Sequence, residues 1–447
     1  MRRLVLFTSL MLACGSDAPA PDVALQIRAP HSPLLQSIAT FSLRAERDSR
    51  VLAQDTIPNN GTQLLLDNVP FGQRTVFTLD GITSAGDLVA RGSSCPLDFE
   101  LHGDPISIYF SPVNFFAPTP GPPTETRTYP VALSLATGNI LIAGGQGMEG
   151  NGVMSAETFA PATGTFAVSG SPLMTPRVHA EIIEVPGVGA LVVGGQNSGQ
   201  APGELYDVSS QAFVPVTSPL LTAHHGHQMV SLPDGHVLII GGNTVAGVPG
   251  ADVVDVSFSA GVPVFTTQPA LPMPLEEHAA AVVVGVPVIF GGTHNGTMAL
   301  RDILVRIGGQ FLPEAQLTYA RKAATATALN DGSVLIVGIG YLDTTGACGA
   351  EVFNPVTQES TCVPTSDSRT EHTATLLADG RVLVTGGLDP NNQPLSSVEL
   401  FVPGVGFVAE RPLGTPRHGH VAVPLCDGTV LVTGGGPGAE IYNPPAR

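Results

Sequence analysis

The stretch DGRVLVTGG, Asp379–Gly387, recurs along most of the chain and decides its fold. Its opening Asp-Gly dipeptide supplies the positive φ angles that a tight two-residue turn requires. The VLV run that follows is typical of a strand buried on both faces. The closing glycine pair marks a point where the backbone turns sharply or packs too closely for a side chain. The unit therefore predicts a turn, a buried strand and a close backbone approach.

Six further copies of this unit occur at a nearly constant spacing. They read TGNILIAGG, VGALVVGG, DGHVLIIGG, VPVIFGG, DGSVLIVGIG and DGTVLVTGG, and begin at Thr137, Val188, Asp234, Val286, Asp331 and Asp427. The first glycines of the seven copies fall 47–50 residues apart, at Gly144, Gly194, Gly241, Gly291, Gly338, Gly386 and Gly434. A period near 50 residues predicts a β-propeller with one four-stranded blade per repeat.

The repeats also resemble the kelch motif. In that motif an Arg- or His-led strand is followed by a strand ending in Gly-Gly, a strand with Glu-x-aromatic and a strand led by a large aromatic residue. The third element occurs here as Glu157/Phe159, Glu204/Tyr206, Glu351/Phe353, Glu399/Phe401 and Glu440/Tyr442. Where kelch repeats usually carry Trp, this chain has Phe166, Phe213, Phe311 and Phe407. The resemblance covers about residues 114–447 and implies an all-β fold with a seven-bladed kelch-type β-propeller.

The two ends of the repeat region predict how the ring closes. The last repeat stops at Pro444–Arg447, after its third strand, so one outer strand is missing. Upstream of the first repeat, Phe115–Arg127 matches Thr165–Arg177 in register. We therefore expect the segment 114–118 to supply the missing strand, to hide the open edges and to complete a propeller domain over residues 113–447.

Residues 22–112 are predicted to form a small β-sandwich. Strand-like runs begin at Val23, Ala39, Thr62, Arg74 and Ile106, with turn signals between them. That spacing is typical of an Ig-like or transthyretin-like sandwich. The run NVPFGQRTVFTLDG is similar to part of transthyretin-type regulatory domains. No catalytic pattern occurs in this region, so we interpret it as a spacer or a binding module.

The first 21 residues predict a targeting segment. Arg2 and Arg3 precede the apolar run Leu4–Ala13, which is too short to span a bilayer as a stable helix. Residues 11–14 resemble the lipobox of bacterial lipoproteins, which implies a signal peptide 1–13, lipidation of Cys14 and a tether 14–21. The chain is then expected in the cell envelope, on the outer membrane or surface, with the lipid as its membrane contact. Ordinary signal cleavage and secretion remain the alternative.

Composition narrows the possible partners. The 447-residue chain has a net charge of −18 and a single lysine, Lys322. Such a chain repels phosphate backbones, so we expect no nucleic-acid partner. Trp is absent and only six Tyr occur, and these are the side chains on which glycan-binding surfaces usually stack sugars. A protein partner is therefore favoured over a glycan.

Candidate site residues lead into the first strand of each repeat. Those 17 positions before the first glycine are Arg127, Arg177, His224, Arg321, Arg369 and Arg417, with Leu275 in that place in the shorter fourth repeat. Three positions further come His227, His278, His372 and His420. These residues begin the innermost strands and are expected to ring an axial channel. The binding candidates are Arg177, His227, His278, Arg321, Arg369, His372, Arg417 and His420.

Two interpretations of these residues stay open. Repeats that carry the arginine also carry a third-strand glutamate, and the two strands lie about 9.5 Å apart, two sheet spacings. Arg and Glu side chains together can bridge that gap as a partly buried ion pair, with the histidines bonded to neighbouring backbone. Alternatively, these side chains hold a ligand, a metal or an anion. We favour the structural interpretation, because function is carried by sites rather than folds.

Catalytic signatures known from propellers are missing from the sequence. Kelch-like copper radical oxidases need a Cys-linked Tyr with further Tyr and His ligands, and no Tyr-His pair occurs. Sialidase-type propellers carry Asp boxes that end in Trp. Acid–base candidates remain at Glu371-His372 and Glu276-Glu277-His278. We expect no cofactor and no metal, and assign no catalytic residue.

Among the five cysteines, Cys348 and Cys362 flank the hairpin turn 354–358 and are the candidate disulfide. Closing that short loop would stabilise the fold by about 3 kcal/mol. The leading functional hypothesis is a non-catalytic recognition module of the cell envelope. It would bind a protein through the glycine-rich loops after each glycine pair and those that lead into each inner strand. An envelope enzyme with an axial His/acid site and a structural scaffold are the alternatives.

Overall fold

The computed structural model describes residues 25–29, 33–59, 66, 69–99, 106–196, 202–221, 225–244, 247–294, 296–340 and 348–445. These residues form an all-β structure with a single short 3-10 helix, Pro33–Ser37. None of the helical residues described makes a helix long and apolar enough to cross a membrane. The predicted signal peptide, the tether with Cys14, and His224 lie outside the described residues.

The first eight strands form two sheets that share one core. They are β1 (Leu25–Arg28), β2 (Thr40–Arg47), β3 (Arg50–Pro58), β4 (Gly72–Ile82), β5 (Leu88–Ser93), β6 (Leu97–Phe99), β7 (Ile106–Tyr109) and β8 (Ser111–Pro112). β1 pairs in parallel with β7, while β3-β2-β4-β5-β8 form the other sheet with β6 on β4. Ile108 from β7 packs in one cluster with Leu43 from β2 and Phe77 from β4, so the two sheets bury a common face.

Thirty strands follow in the rest of the described chain. They are β9 (Phe115–Pro118), β10 (Arg127–Thr128), β11 (Val131–Ser134), β12 (Ile140–Ala143), β13 (Gln146–Gly147), β14 (Ala156–Ala160), β15 (Thr165–Val168), β16 (Val178–Val185), β17 (Gly189–Gln196), β18 (Gly203–Asp207), β19 (Ala212–Val216), β20 (Gln228–Ser231), β21 (Val237–Ile240), β22 (Val253–Ser259), β23 (Val262–Thr267), β24 (Ala279–Val283), β25 (Val286–Phe290), β26 (Leu300–Ile307), β27 (Gln310–Arg321), β28 (Thr325–Ala328), β29 (Val334–Val337), β30 (Ala350–Asn354), β31 (Glu359–Val363), β32 (Thr373–Leu376), β33 (Val382–Thr385), β34 (Val398–Val402), β35 (Gly406–Ala409), β36 (Val421–Pro424), β37 (Val430–Thr433) and β38 (Ala439–Asn443).

These strands form seven four-stranded antiparallel sheets within the described residues. In strand order, sheet 1 is β11-β12-β14-β15, sheet 2 is β16 to β19, sheet 3 is β20 to β23, sheet 4 is β24 to β27, sheet 5 is β28 to β31, sheet 6 is β32 to β35, and sheet 7 is β36-β37-β38-β9. The short β10 and β13 pair with each other beside sheet 1. The second strand of every sheet comes from the repeated unit, and in β33 all four residues are buried.

The first strands of successive sheets contact one another in a continuous series. Contacts run from β11 through β16, β20, β24, β28 and β32 to β36, and β36 contacts β11. The glycine pairs join neighbouring sheets, because the amide of the second glycine donates to the carbonyl of the residue leading the next sheet. These bonds are Gly145 to Arg177, Gly242 to Leu275, Gly292 to Arg321, Gly387 to Arg417 and Gly435 to Arg127, at 2.7–2.9 Å. The bond from Gly435 joins sheet 7 to sheet 1.

β9, from the N-terminal side of the repeats, is the outer strand of sheet 7 and pairs antiparallel with β38. Phe116 lies opposite Tyr442 with ring centroids 4.7 Å apart. Phe159 and Phe166 take the same positions in sheet 1, with centroids 4.9 Å apart. A segment more than 300 residues away thus reproduces the aromatic pair of a complete repeat.

Sheet 7 is also bonded to the N-terminal region, which contains the two sheets formed by β1 to β8. Cys95 and Cys426 form a disulfide across 331 residues of sequence. The Asn443 side chain donates to the carbonyls of Arg91 and Ser111, both at 2.9 Å. This pairing of Cys95 with Cys426 was not predicted, because no local pattern in the sequence relates cysteines so far apart. The second disulfide joins Cys348 and Cys362, the pair that the sequence indicated.

Candidate functional site

The arginines that lead the first strands lie inside the sheets. Each guanidinium contacts the carboxylate of its own third strand and is at most 2% exposed. The pairs are Arg127–Glu157 at 3.5 Å, Arg177–Glu204, Arg321–Glu351 and Arg369–Glu399 at 2.9 Å, and Arg417–Glu440 at 3.3 Å. Although burial alone would raise the pKa of Glu351, the Arg321 guanidinium holds that pKa below its usual value.

The constant spacing of 17 residues has a direct structural cause. In all five repeats, Nη1 of the arginine donates to the carbonyl of the first glycine of the same repeat. Arg369, for example, bonds the Gly386 carbonyl at 2.9 Å and the Ser397 carbonyl at 3.2 Å. Each guanidinium therefore braces three strands. Of the predicted binding candidates, Arg177, Arg321, Arg369 and Arg417 thus lie within the sheets and are not among the described residues that line the cavity.

A cavity of about 480 Å³ lies where the seven first strands begin. Its rim is a ring of residues that each follow a strand-leading position by two: Tyr129, His179, Gly226, Glu277, Ala323, Glu371 and Gly419. All seven have left-handed backbones, with φ between 49° and 67°. We call these seven residues the left-handed ring. A non-glycine residue in that conformation costs about 1–2 kcal/mol, and such strain persists where the surrounding structure enforces it.

Backbone hydrogen bonds between neighbouring sheets hold the left-handed ring in place. The amide of Glu277 donates to Gly226, and that of Ala323 to Glu277, at 3.2 and 2.8 Å. The amide of Gly419 donates to Glu371 at 2.9 Å, and that of Tyr129 to Gly419 at 2.6 Å. These bonds offset the strain. Sequence reasoning missed the ring, because only its two glycines carry a local signal for positive φ.

Glu371 is the centre of a polar cluster on this ring. Its Oε2 accepts from the Tyr129 hydroxyl at 2.6 Å and lies 2.8 Å from Nδ1 of His418. The Tyr129 ring stacks on His179, with centroids 3.9 Å apart. Burial, and then the bond to Glu371, raise the pKa of Tyr129, so its hydroxyl remains a donor. Gly419 lies against the aromatic ring of Tyr129, where a Cβ would overlap the Tyr129 side chain.

Three more glutamates line the cavity. Glu276 accepts a hydrogen bond from Nδ2 of Asn243, and Glu277 pairs with Lys322 at 3.1 Å. Glu181 follows His179 by two residues on β16 and also lines the cavity. It accepts a hydrogen bond from Nε2 of Gln228 at 3.2 Å. Burial raises the pKa of Glu181 from 4.5 to about 7. The sequence analysis singled out Glu276, Glu277 and Glu371 as acids at the mouth but did not identify Glu181.

His227, His278, His372 and His420 line the cavity just below the left-handed ring. His372 contacts the Thr325 hydroxyl at 3.0 Å, and His420 contacts the hydroxyls of Thr385 and Thr373 at 2.8 and 3.2 Å. These two histidines thus bond threonine side chains rather than backbone, which corrects the expected bonds to backbone. Burial lowers the pKa of His278 to about 4 and those of His372 and His420 to about 3.

The arrangement can bind a polar group or move a proton. Across the described ranges, no three His, Cys, Asp or Glu side chains come together as a metal-binding group. The cavity combines carboxylates, neutral imidazoles and a phenol, which together offer many acceptors and few donors. In five of the seven sheets a buried arginine braces the strands that carry these walls, so the polar groups there are held before a ligand arrives.

Comparison with known proteins identifies no family for this chain. No protein-family model matches the chain, and no curated protein matches it. Among solved structures, the structure of YjhT is similar, at 17% sequence identity and a TM-score of 0.43. The match covers 67% of this chain and 96% of that one.

Proposed function

We propose that the seven sheets are the blades of a seven-bladed kelch-type β-propeller, preceded by a small β-sandwich. The series of contacts between first strands and the bond from Gly435 to Arg127 support a closed ring. The aromatic pair of Phe116 and Tyr442 supports closure through β9. A ring closed in this way leaves no sheet edge exposed.

The function that we propose is recognition of a protein partner at the face where the cavity opens, with one polar group of that partner entering the cavity. The observation that carries this proposal is the left-handed ring, in which five non-glycine residues keep strained backbones and surround one polar cavity. Loops of the same face expose Met148, Met154 and Met174 at 88, 45 and 54%. Methionine adapts to varied apolar surfaces and is common at binding faces.

Filling the cavity tests this function. Ala324 lines the cavity next to the ring, so Ala324→Trp blocks entry. Val356, 89% exposed in an outer turn, provides the matched control Val356→Trp. We expect a partner captured from envelope extract to be retained by the original protein and by the control, and to be lost with Ala324→Trp. Equal retention by all three would contradict recognition through the cavity.

The location in the cell envelope also remains our proposal. It depends on Arg2, Arg3 and the apolar run before Cys14 in the sequence. A Cys14→Ser variant is expected to move from the membrane fraction to the soluble fraction. Unchanged partitioning would contradict lipidation at this position.

A second candidate function is acid–base catalysis in the same cavity. The observation in its favour is Glu181, whose pKa of about 7 suits proton transfer near neutral pH. Catalysis predicts that a captured small molecule is recovered in altered form, and that Glu181→Gln binds it without altering it. Recovery of unchanged molecule by mass spectrometry would leave recognition as the function.

A further inference from the structure

The cavity wall is rich in acids, and its described residues include no arginine or lysine. Among the described lining residues there are four glutamates, Glu181, Glu276, Glu277 and Glu371, and no arginine or lysine. The five strand-leading arginines are engaged with third-strand carboxylates inside the sheets. Lys322 is paired with Glu277 at 3.1 Å. The net charge of the described wall is therefore negative, which repels an anionic ligand and attracts a cation.

Three of the lining histidines add no positive charge to this wall at neutral pH. Burial lowers the pKa values of His278, His372 and His420 so far that these side chains are uncharged at pH 7. Burial also lowers the pKa of His179, with Glu371 acting in the opposite sense. At pH 7 these imidazoles act as neutral groups that can each offer one acceptor nitrogen.

Glu371 has an acceptor left for a ligand. The Tyr129 hydroxyl and His418 Nδ1 both contact Oε2. Among the described residues Oε1 makes no hydrogen bond, and the side chain is 31% exposed. A charge-assisted bond from an N–H donor to this oxygen would be short and strong. The Tyr129 ring, which lies against His179, adds an aromatic group of the kind that attracts cations.

His278 is an independent indication of a ligand. The side chain is 98% buried and lines the cavity, and neither ring nitrogen has a hydrogen-bond partner among the described residues. Leaving a buried polar group without a partner costs about 1–3 kcal/mol. A neutral imidazole has one nitrogen that accepts and one that donates. A ligand N–H that enters the cavity can supply the missing donor.

We propose that this cavity binds an alkylammonium group, with Glu371 as its counter-ion, the Tyr129–His179 pair as its aromatic wall and His278 as a further acceptor. The proposal rests on the proposed function and names the chemistry that the cavity selects. The shared chemistry is a primary amine on an alkyl chain, which is supplied either by a lysine side chain of a protein or by a free small amine. An organic cation is favoured over a metal ion, because the described carboxylates and imidazoles do not converge three together.

Three probes of similar size and different charge test the selectivity. The purified full chain is titrated calorimetrically at low ionic strength with butylammonium, butanol and butyrate. We expect binding of butylammonium that weakens as salt is added, with no binding of butanol or butyrate. Ala324→Trp, which fills the cavity, should abolish the signal.

Binding of butanol or butyrate that equals butylammonium and is lost in Ala324→Trp would overturn the ammonium proposal and leave the cavity as a binding site. Absence of binding by every probe would overturn the ammonium proposal. The proposed function has its own readout, the partner capture with Ala324→Trp, which does not depend on these probes.

Single substitutions test the residues. Glu371→Gln keeps the shape of the side chain and removes its charge, and we expect butylammonium to bind roughly 10–100-fold more weakly, as a charge-assisted hydrogen bond implies. Glu184→Gln is the matched control, since Glu184 is an exposed carboxylate on the same strand as Glu181 and outside the cavity. A loss below threefold in Glu371→Gln, or an equal loss in both variants, would overturn the role of Glu371.

A peptide arm distinguishes the two sources of the amine. Acetylated Gly-Lys-Gly amide is compared with its norleucine counterpart and with butylammonium. A lysine peptide that binds more tightly than butylammonium supports a protein ligand, and a weaker one supports a free amine. Equal affinity of the lysine and norleucine peptides would contradict recognition of the ammonium group.

Discussion

At the residue scale, the strand-leading arginine is the side chain that joins the strands of five of the seven repeats. Arg369 pairs with Glu399 at 2.9 Å and also bonds the carbonyls of Gly386 and Ser397. Glu399 in turn accepts from the amide of Ser366 at 2.7 Å. The pair thus joins the first, second and third strands of sheet 6 to the segment before them, out of contact with water.

Removing one partner of this pair leaves the charge of the other partner buried without a counter-ion. We expect Arg369→Ala or Glu399→Ala alone to lower the free energy of unfolding by about 3–5 kcal/mol. The double variant should lose clearly less than the sum, a coupling that a double-mutant cycle in urea reads directly. Arg50→Ala, at an exposed position of β3, should change stability by less than about 0.5 kcal/mol. Additive losses at Arg369 and Glu399 would contradict the buried pair.

His278 and Glu181 predict opposite effects of pH on stability. The pKa of His278 falls from 6.5 to about 4 in the folded protein, so its stabilising contribution is full above pH 6.5 and is lost as the pH falls toward 4. The pKa of Glu181 rises from 4.5 to about 7, so its contribution is full below pH 4.5 and is lost as the pH rises through 7. Each titration changes the free energy of unfolding by about 1.4 kcal/mol per pH unit within its window.

Two variants separate these contributions in urea denaturation between pH 4.5 and 8. His278→Gln should reduce the loss of stability below pH 6.5, and Glu181→Gln should make the protein more stable above pH 7. His294→Gln, at an exposed loop position, is the control and should leave the profile unchanged. A His278→Gln profile that matches the original would show that this imidazole titrates as it does in water.

The ion-paired residues could be predicted from the sequence, whereas the left-handed ring and Glu181 could not. Repeats that carry the strand-leading Arg also carry the third-strand Glu, and this joint occurrence was enough to predict ion pairing. The left-handed ring was not predictable, since Tyr129, His179 and Ala323 have no local preference for positive φ, and bonds between sheets impose it. Glu181 was missed for a related reason, because its environment is formed by residues of sheets 2 and 3 together.

At the scale of elements, the glycine pair is required by the next sheet and not by the turn alone. A Cβ on Gly386 would come within 2.5 Å of the Arg417 carbonyl oxygen and 2.9 Å of the His420 ring. Gly386 also has a φ of 55°. Two effects, backbone conformation and close approach, therefore act at the same residue.

A matched pair of alanine substitutions separates the two effects. Gly404 has a φ of 78°, and a Cβ added there would have no other atom within 4 Å. Gly404→Ala therefore tests conformation alone and should cost about 1–2 kcal/mol. Gly386→Ala adds overpacking, which costs a further 1–3 kcal/mol or so. Thermal or urea unfolding gives both values. Equal losses would mean that the sheets can move apart without cost.

The damaged repeat, DGSVLIVGIG, shows what the unit tolerates. The second glycine is replaced by Ile339, and Gly338 has a φ of 150° where the first glycines of the other pairs have 55–81°. Arg321 still donates to the Gly338 carbonyl and pairs with Glu351. The Cys348–Cys362 disulfide closes the same sheet. The brace and the disulfide are thus retained in the repeat that lacks the glycine pair.

At the scale of the whole molecule, sheet 7 is assembled from segments at the two ends of the repeat region. Its outer strand β9 precedes the repeats, and its third strand β38 ends them. Cys426 beside β37 is bonded to Cys95 of the N-terminal sheets. Register alone, read from the match of Phe115–Arg127 to Thr165–Arg177, predicted where β9 belongs. The disulfide had no such counterpart elsewhere in the sequence and was not predicted.

The proposed closure through β9 predicts the behaviour of two shortened chains. A chain that begins at Val113 lacks the N-terminal sheets and keeps β9, whereas a chain that begins at Arg127 lacks both. Both leave Cys426 without Cys95, so they differ only in residues 113–126. Without β9 the backbone of β38 is an unpaired edge, and the buried rings of Tyr442 and Phe116 no longer pack together. We expect the shorter chain to associate through that edge and to melt well below the longer one, by light scattering and calorimetry at matched concentration. If the chain from Arg127 is monomeric and as stable as the chain from Val113, then β9 does not close the ring, and the edge of β38 must be protected in another way.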